Sequence, residues 1–259
     1  MPSQKVSFHN SRALKLVGIL EKPDDVEGKR PGVIICHGFT GFKEVKYLVR
    51  LARGLQQRGF ITLRFDFSDC IGESEGSCED MLLSHQVNDL ISAINFLEED
   101  VDIDPSRIGL AGHSLGGLTC IVVASTDKRP KALVSIASPA HHDWQTIFDQ
   151  ETVDRWQRVG EIEFPSFTRG HIRVHYHFLE DLREYDATKI IQNVRVPTCL
   201  IHGTEDSLVP EKNAHALYEH AHPPKALKLV EVADHFFLDE PSMEAMTCHA
   251  VGWFEGYLL

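Results

Sequence analysis

Gly112-His113-Ser114-Leu115-Gly116 follows the apolar run Arg107-Ile108-Gly109-Leu110-Ala111 and opens a second one, Leu118-Thr119-Cys120-Ile121-Val122-Val123-Ala124. A strand, a very tight turn and a helix would set Ser114 on a strained corner with its hydroxyl exposed. The glycines answer a steric demand. Strand and helix approach closely at such a corner, so the residues two before and two after the serine must be small. The blander alternative is a glycine-rich turn whose serine only caps the helix. A nucleophile, unlike a cap, needs partners elsewhere in the chain.

A serine hydroxyl is a poor nucleophile at neutral pH, so it needs a base, and the base needs a group that fixes its tautomer. With an elbow of this kind the chain order is serine, acid, histidine. Val196-Pro197-Thr198-Cys199-Leu200-Ile201 reads as a buried strand running into His202-Gly203-Thr204-Glu205-Asp206, and Asp206 is the expected acid. A helix near 212–220 follows, then the strand Leu227-Lys228-Leu229-Val230-Glu231-Val232, which stops at Ala233-Asp234-His235. His235 is the expected base. Among 15 His and 38 acidic residues there are rivals. His113 precedes the serine, so its side chain should point away from the pocket. His249 falls in the expected final helix, and Glu205 and Asp234 read as solvated loop acids.

A tetrahedral intermediate needs donors for its oxyanion. One is expected to be the N–H of Leu115, the residue after the nucleophile, and the other should come from an early strand-to-helix loop. Pro31-Gly32-Val33-Ile34-Ile35-Cys36 is a short apolar strand that leads into His37-Gly38-Phe39-Thr40-Gly41, which makes Phe39 N–H the expected second donor.

Together these residues resemble the α/β-hydrolase superfamily of serine esterases over most of the chain. Arg64-Phe65-Asp66-Phe67-Ser68-Asp69-Cys70-Ile71-Gly72-Glu73-Ser74-Glu75-Gly76 is similar to the loop that commonly follows the fourth strand there, which implies a structural role for Asp66. The HGFTG loop, the GHS elbow and a mid-chain insert resemble the small-capped carboxylesterases of the cinnamoyl and feruloyl type. Feruloyl-type members often carry Gln where this chain has Leu115. The resemblance implies an α/β-hydrolase fold with a mostly parallel central sheet, helices on both sides, a small inserted cap and no cofactor.

Apolar strand-like runs alternate with helical patterns along the chain, the mark of a mostly parallel sheet with helices on both faces. Strands near 5–9 and 14–21 should form a hairpin. A strand near Val33, a helix near 47–58, a strand at 61–65 and a helix near 86–98 come next, and a strand at 132–137 follows the elbow helix. From about 139 to 193 the rhythm changes to His, Trp, Phe, Arg and Glu without a clear sheet strand. The core is therefore expected at 1–138 and 194–259, with residues 139–193 as an inserted cap. Long excursions in compact domains are usually lids or binding elements. Trp144, Trp156, Phe164, Phe167, Tyr176 and Phe178 are available to roof an apolar pocket, with Trp144 and Tyr176 taken as substrate contacts.

Composition sets the outer bounds. At 259 residues the chain can form one large domain, and 42% hydrophobic with 25% charged residues is ordinary for a globular protein. A net charge of −12, with no Lys/Arg run, argues against a nucleic-acid partner. No apolar segment of about 18 residues and no leader-like N-terminus is present, so no membrane partner and a cytoplasmic location are expected. The 6 Cys agree. Cys36, Cys120 and Cys199 fall in apolar elements, and Cys70 and Cys78 share a loop where they could bridge, though cytosolic thiols stay reduced. His141-His142, His175-x-His177 and His220-x-His222 are only pairs, whereas zinc wants three or four converging ligands, so no metal is expected.

The expected reaction is hydrolysis of short to medium acyl or aryl esters through an acyl-enzyme, the partners being a small ester and water. Activity should rise with pH as the histidine base loses its proton, around the reference value of about 6.5. A peptidase or aminopeptidase, or an acyltransferase, would use the same residues. A non-catalytic ligand receptor is the alternative of a different class.

Overall fold

A computed structural model describes residues 3–25, 27–140, 148–166 and 170–259. The chain opens with an antiparallel hairpin, β1 (Ser3–His9) and β2 (Lys15–Glu21). It continues through β3 (Arg30–Cys36), α1 (Lys46–Gln56), β4 (Ile61–Phe65), α2 (Leu83–Glu98), β5 (Ile103–His113), α3 (Leu115–Thr126) and β6 (Pro130–Ile136). An inserted segment then holds α4 (Gln150–Val159), the two-stranded hairpin β7 (Glu161–Ser166) and β8 (Gly170–His175), α5 (His177–Leu182) and the single turn α6 (Ala187–Ile190). The chain returns to the core with β9 (Thr198–Gly203), α7 (Lys212–His220), β10 (Lys225–Val230) and α8 (Glu240–Leu258).

The main sheet has eight strands in the order β1-β2-β4-β3-β5-β6-β9-β10. From β4 to β10 all neighbours are parallel, and β2 joins β4 antiparallel. This is the α/β-hydrolase arrangement implied by the sequence resemblance. Both faces are covered, which is why the central strands read as continuous apolar runs rather than alternating ones. Val33, Ile35 and Val134 pack with α1 and α8 on one face, while Ile34, Leu110 and Leu133 pack with α2 and α3 on the other. Residues 115–124 of α3 are all buried, as an apolar-all-round helix requires. The amphipathic α1 hides Leu48, Leu51, Ala52 and Leu55.

Strand order reverses direction between β3 and β5, because the chain goes from β3 out to β4 and returns to the other side. A crevice opens at the carboxyl ends of the strands flanking such a switch point. The HGFTG loop leaves the end of β3 and Ser114 leaves the end of β5; Asp206 follows β9 and His235 follows β10. The carboxyl end of the sheet thus carries the HGFTG loop, Ser114, Asp206 and His235 together.

The inserted segment does contain strands. Ile162 pairs with Val174 and Phe164 with Ile172 across β7 and β8, a half-buried hairpin too short to show as an apolar run. Asp149 starts α4 by accepting the N–H of Thr152 at 2.7 Å. All six cysteines are free thiols, Cys70 and Cys78 included. Among the described residues no helix is long and apolar enough to cross a membrane.

Candidate active site

Ser114 sits at the N-cap position of α3 with φ 53° and ψ −120°, and its side chain makes no capping hydrogen bond. A positive φ on a residue with a Cβ is strained and persists only where the surroundings hold it. The surroundings here are tight. A Cβ on Gly112 would lie 2.2 Å from the Gly116 carbonyl oxygen, and one on Gly116 would lie 2.3 Å from that of His37. Strand, helix and the β3 loop therefore converge at one point, and the serine is pushed to the edge, where it is half-buried. The Ser114 N–H donates to the Ile136 carbonyl at 2.7 Å, tying the elbow to β6.

Asp206 and His235 meet across 29 residues of sequence, Nδ1 to Oδ2 at 2.7 Å, and both are buried. With a carboxylate on Nδ1 the proton belongs there, and Nε2 is left with the lone pair a base requires. The carboxylate is held from several sides. Its Oδ1 accepts the N–H groups of Leu208 at 3.0 Å and Val209 at 2.8 Å. Its Oδ2 also lies 3.2 Å from His202 Nε2. Burial opposes ionisation of Asp206, but the bonds from His202, His235 and Val209 together hold it well below the usual carboxylate range. The rival acids go elsewhere: Asp234 accepts the Phe236 N–H in its own turn at 3.0 Å, and Glu205 is exposed.

His113 does not point away. Its Nε2 lies 2.7 Å from the His235 carbonyl, which can only accept, so Nε2 donates and Nδ1 is left to accept from the Tyr47 hydroxyl at 3.0 Å. The two imidazoles are 4.7 Å apart. Burial, reinforced by His235 next to it, pushes His113 down to about 3, so it stays neutral. Strand alternation sets it with Ala111 on the α1 and α8 face, and there Tyr47 and the His235 loop meet it beside the cavity.

The HGFTG loop passes directly over the serine: a Cβ on Gly38 would be 3.0 Å from Ser114 Cβ. The Phe67 N–H donates to His37 Nε2 at 3.1 Å, so the other ring nitrogen carries the proton and donates to the Gly38 carbonyl at 2.9 Å. Lys43, at the end of the loop, is tied to Asp66 twice, from its N–H and from Nζ, both at 2.7 Å. Asp66 also accepts the Glu73 N–H at 2.9 Å.

A cavity of about 560 Å³ is lined by Ser114, His235, His113, Leu115 and Phe39 together with apolar side chains from both the sheet edge and the inserted segment. Among its described lining residues there is no Asp, Glu, Lys or Arg. Phe148, Phe164 and Phe178 form the roof. Trp156 is fully buried behind them, 5.3 Å from Phe164 and 5.5 Å from Phe148, with its N–H donating to the Val174 carbonyl at 2.9 Å.

A family model described as prolyl oligopeptidase family matches residues 75–258, well over half of the sequence. The chain belongs to the prolyl oligopeptidase family. An acyl transferase model matches residues 3–127. Of curated relatives, an uncharacterized 31.7 kDa protein of the traX-finO intergenic region of Escherichia coli is 27% identical over 89% of this chain and 92% of its own length. The mitochondrial palmitoyl-protein thioesterase ABHD10 of Rattus norvegicus is 27% identical over 71% of this chain and 62% of its own. Of solved structures, the esterase domain of a Rhodothermus marinus protein superposes with a TM-score of 0.76 at 25% identity, over 100% of both chains. Est1E of Butyrivibrio proteoclasticus with ferulic acid bound shares the fold, with a TM-score of 0.79 at 21% identity over 96% of this chain and 99% of that one. Family and fold together mark this protein as an α/β hydrolase.

Of the two aromatic residues of this prolyl oligopeptidase family member taken from sequence as substrate contacts, only Tyr176 lies among the described residues. Trp144 lies outside the described residues, as does Phe167. Tyr176 is buried in the core of the inserted segment, its ring 6.1 Å from Trp156 and its hydroxyl accepting from Arg183 at 2.9 Å, and it is absent from the cavity wall. The turn from β8 into α5 separates Tyr176 from Phe178, and only the latter faces inward. Sequence reasoning missed Tyr47, Phe148, Leu182, Leu208 and Phe236, which line the cavity from five separate stretches of chain. Among the described residues no group of three or more His, Cys, Asp or Glu is placed to hold a metal ion.

Proposed function

We propose that the protein is a serine carboxylic ester hydrolase acting on short to medium acyl or aryl esters, with Ser114 as nucleophile, His235 as base and Asp206 as the acid that orients it. One observation carries the reading: a strained, half-buried, uncapped serine lines the same cavity as a histidine whose far nitrogen is bonded to a buried carboxylate. His235 takes the proton as Ser114 Oγ attacks the ester carbonyl. The N–H groups of Phe39 and Leu115 receive the oxyanion, and the imidazolium protonates the departing alcohol. Water, activated by the same histidine, then releases the acid from the acyl-enzyme. No step calls for a cofactor. Residues 139–193 act as the cap, and the free thiols fit a cytoplasmic setting.

The described residues of the wall offer no carboxylate, which favours an ester over a peptide with a free amino terminus, since a buried α-ammonium would need such a partner. A thioester is the second reading, supported by the thioesterase relative. The test is a panel of p-nitrophenyl esters and matched S-acyl thioesters of increasing acyl length beside aminoacyl p-nitroanilides, with Ser114→Ala as the blank. A fluorophosphonate should label Ser114 stoichiometrically. Faster anilide than ester cleavage, or activity surviving in Ser114→Ala, would refute the proposal.

A further inference from the structure

We propose that the inserted segment governs the chemical step as well as binding, because Phe178 and Phe164 position the oxyanion donor through the side chain of Phe39. The proposal rests on the proposed function, with Ser114 as nucleophile and Phe39 N–H as one oxyanion donor. Phe39 is one residue with two duties. Its peptide belongs to the loop that passes over Ser114, while its ring leaves the core and is taken up by the segment above.

The Phe39 ring stacks on Phe178 at 5.2 Å and 22°, and meets Phe164 edge-on at 5.0 Å and 88°. Both arrangements are those that aromatic pairs favour. The two partners come from different elements, Phe164 from β7 and Phe178 from α5, and Trp156 backs both, at 5.3 and 6.2 Å. The ring is therefore gripped from two directions by a packed unit. The core fastens the same loop differently. Its bonds run from the Phe67 N–H to His37 and from Lys43 to Asp66, while the Gly41 N–H to Gly38 carbonyl bond at 3.0 Å closes the turn through residues 39 and 40 within the loop. None of these bonds involves Phe39, and the next residue, Thr40, is already at φ 54°. The base of the loop is held by the core and its tip by aromatic contacts with the segment. If the segment shifts, the peptide of residue 39 turns with its ring, and the N–H loses its aim at the place where negative charge develops.

A donor deleted outright costs about 100 to 1,000-fold in rate, and one left misaimed should cost less. A segment that served only to bind the acyl chain would leave the smallest substrates untouched, and that difference is the test. Phe178→Ala, Phe39→Leu and the double variant are to be assayed on p-nitrophenyl acetate, whose acetyl group is too short to depend on the roof. The expected result for Phe178→Ala is a kcat lower by about 10 to 100-fold with KM within about 3-fold. Affinity for a trifluoromethyl ketone, which forms an anionic adduct with the serine, should fall by the same factor. The double variant should be no worse than Phe39→Leu alone, because both act through one contact.

An unchanged kcat on acetate with KM raised only for longer esters would overturn the proposal, as would effects that multiply in the double variant. Should Phe178→Ala not fold, Phe164→Leu carries the same comparison. Failure of the underlying reading looks different: acetate hydrolysis would then persist in Ser114→Ala, whatever residue 178 is.

Discussion

Replacing Asp206 with Asn exchanges one oxygen for an amino group, and the donors around this carboxylate set the consequence. Asp206 faces four N–H donors: Leu208 and Val209 on Oδ1, His235 and His202 on Oδ2. An amide offers a single acceptor. If its oxygen turns to His235, the N–H groups of Leu208 and Val209 lose their acceptor, at about 1–3 kcal/mol of stability for the buried Val209 and less for Leu208, which is exposed to water. If its oxygen stays on those backbone donors, its NH2 faces His235 Nδ1, and the ring must carry its proton on Nε2 instead, where it can no longer accept one from Ser114. His202 is spared in that arrangement because its Nε2 also bonds the Val209 carbonyl at 2.7 Å. The second arrangement costs less folding energy and so should prevail. The wrong tautomer costs about 10⁴-fold in kcat, which is about 5.5 kcal/mol of barrier at 1.36 kcal/mol per decade. Steady-state hydrolysis of p-nitrophenyl butyrate at pH 7 measures kcat and KM, and urea unfolding measures stability. The expected outcome is a kcat down by three to four orders of magnitude on an intact fold, with KM little changed. A kcat within about tenfold of the parent would refute the assignment of Asp206.

His113 is neutral when folded, held down to about 3, while the unfolded chain titrates it near 6.5. The unfolded state therefore binds the extra proton, so stability is whole above about pH 6.5 and falls by up to about 1.4 kcal/mol per unit as pH drops toward 3. His113→Gln should flatten that slope by about one proton in urea titrations between about pH 4 and 7, and an unchanged slope would count against it. Lys43→Met leaves Asp66, which is 0% exposed, without its ammonium partner; breaking such a pair should cost about 3–5 kcal/mol, read from the urea midpoint. Gly116→Ala places a Cβ 2.3 Å from one backbone oxygen and 2.8 Å from another. Its cost should reach or exceed the roughly 1–3 kcal/mol of ordinary overpacking, and fluorophosphonate labelling should slow with it.

The strands were legible because a parallel sheet covered on both faces demands unbroken apolar runs, and Val33 to Cys36 or Thr198 to Ile201 cannot easily be read otherwise. Ser114 was legible because the glycines around it have a steric cause. Asp206 and His235 were legible as the polar residues just beyond two strand ends. The role of His113 was not, since alternation sets it on the α1 and α8 face with Ala111 but does not say that the His235 loop and the cavity lie against that face. Nor could Tyr176 be told from Phe178: both are aromatic, two positions apart, and a helix start lies between them.

By itself, then, the order of residues determined which elements form, that the sheet is mostly parallel, and which strand ends carry Ser114, Asp206 and His235, because local sterics and burial on both faces act over short stretches. The tertiary structure alone decided that His113 backs the His235 loop, that Phe39 is gripped by Phe164 and Phe178, and that the described residues of the cavity wall carry no Asp, Glu, Lys or Arg. Those contacts join residues more than a hundred positions apart, and no local periodicity encodes which side chains meet once the layers close over the sheet edge.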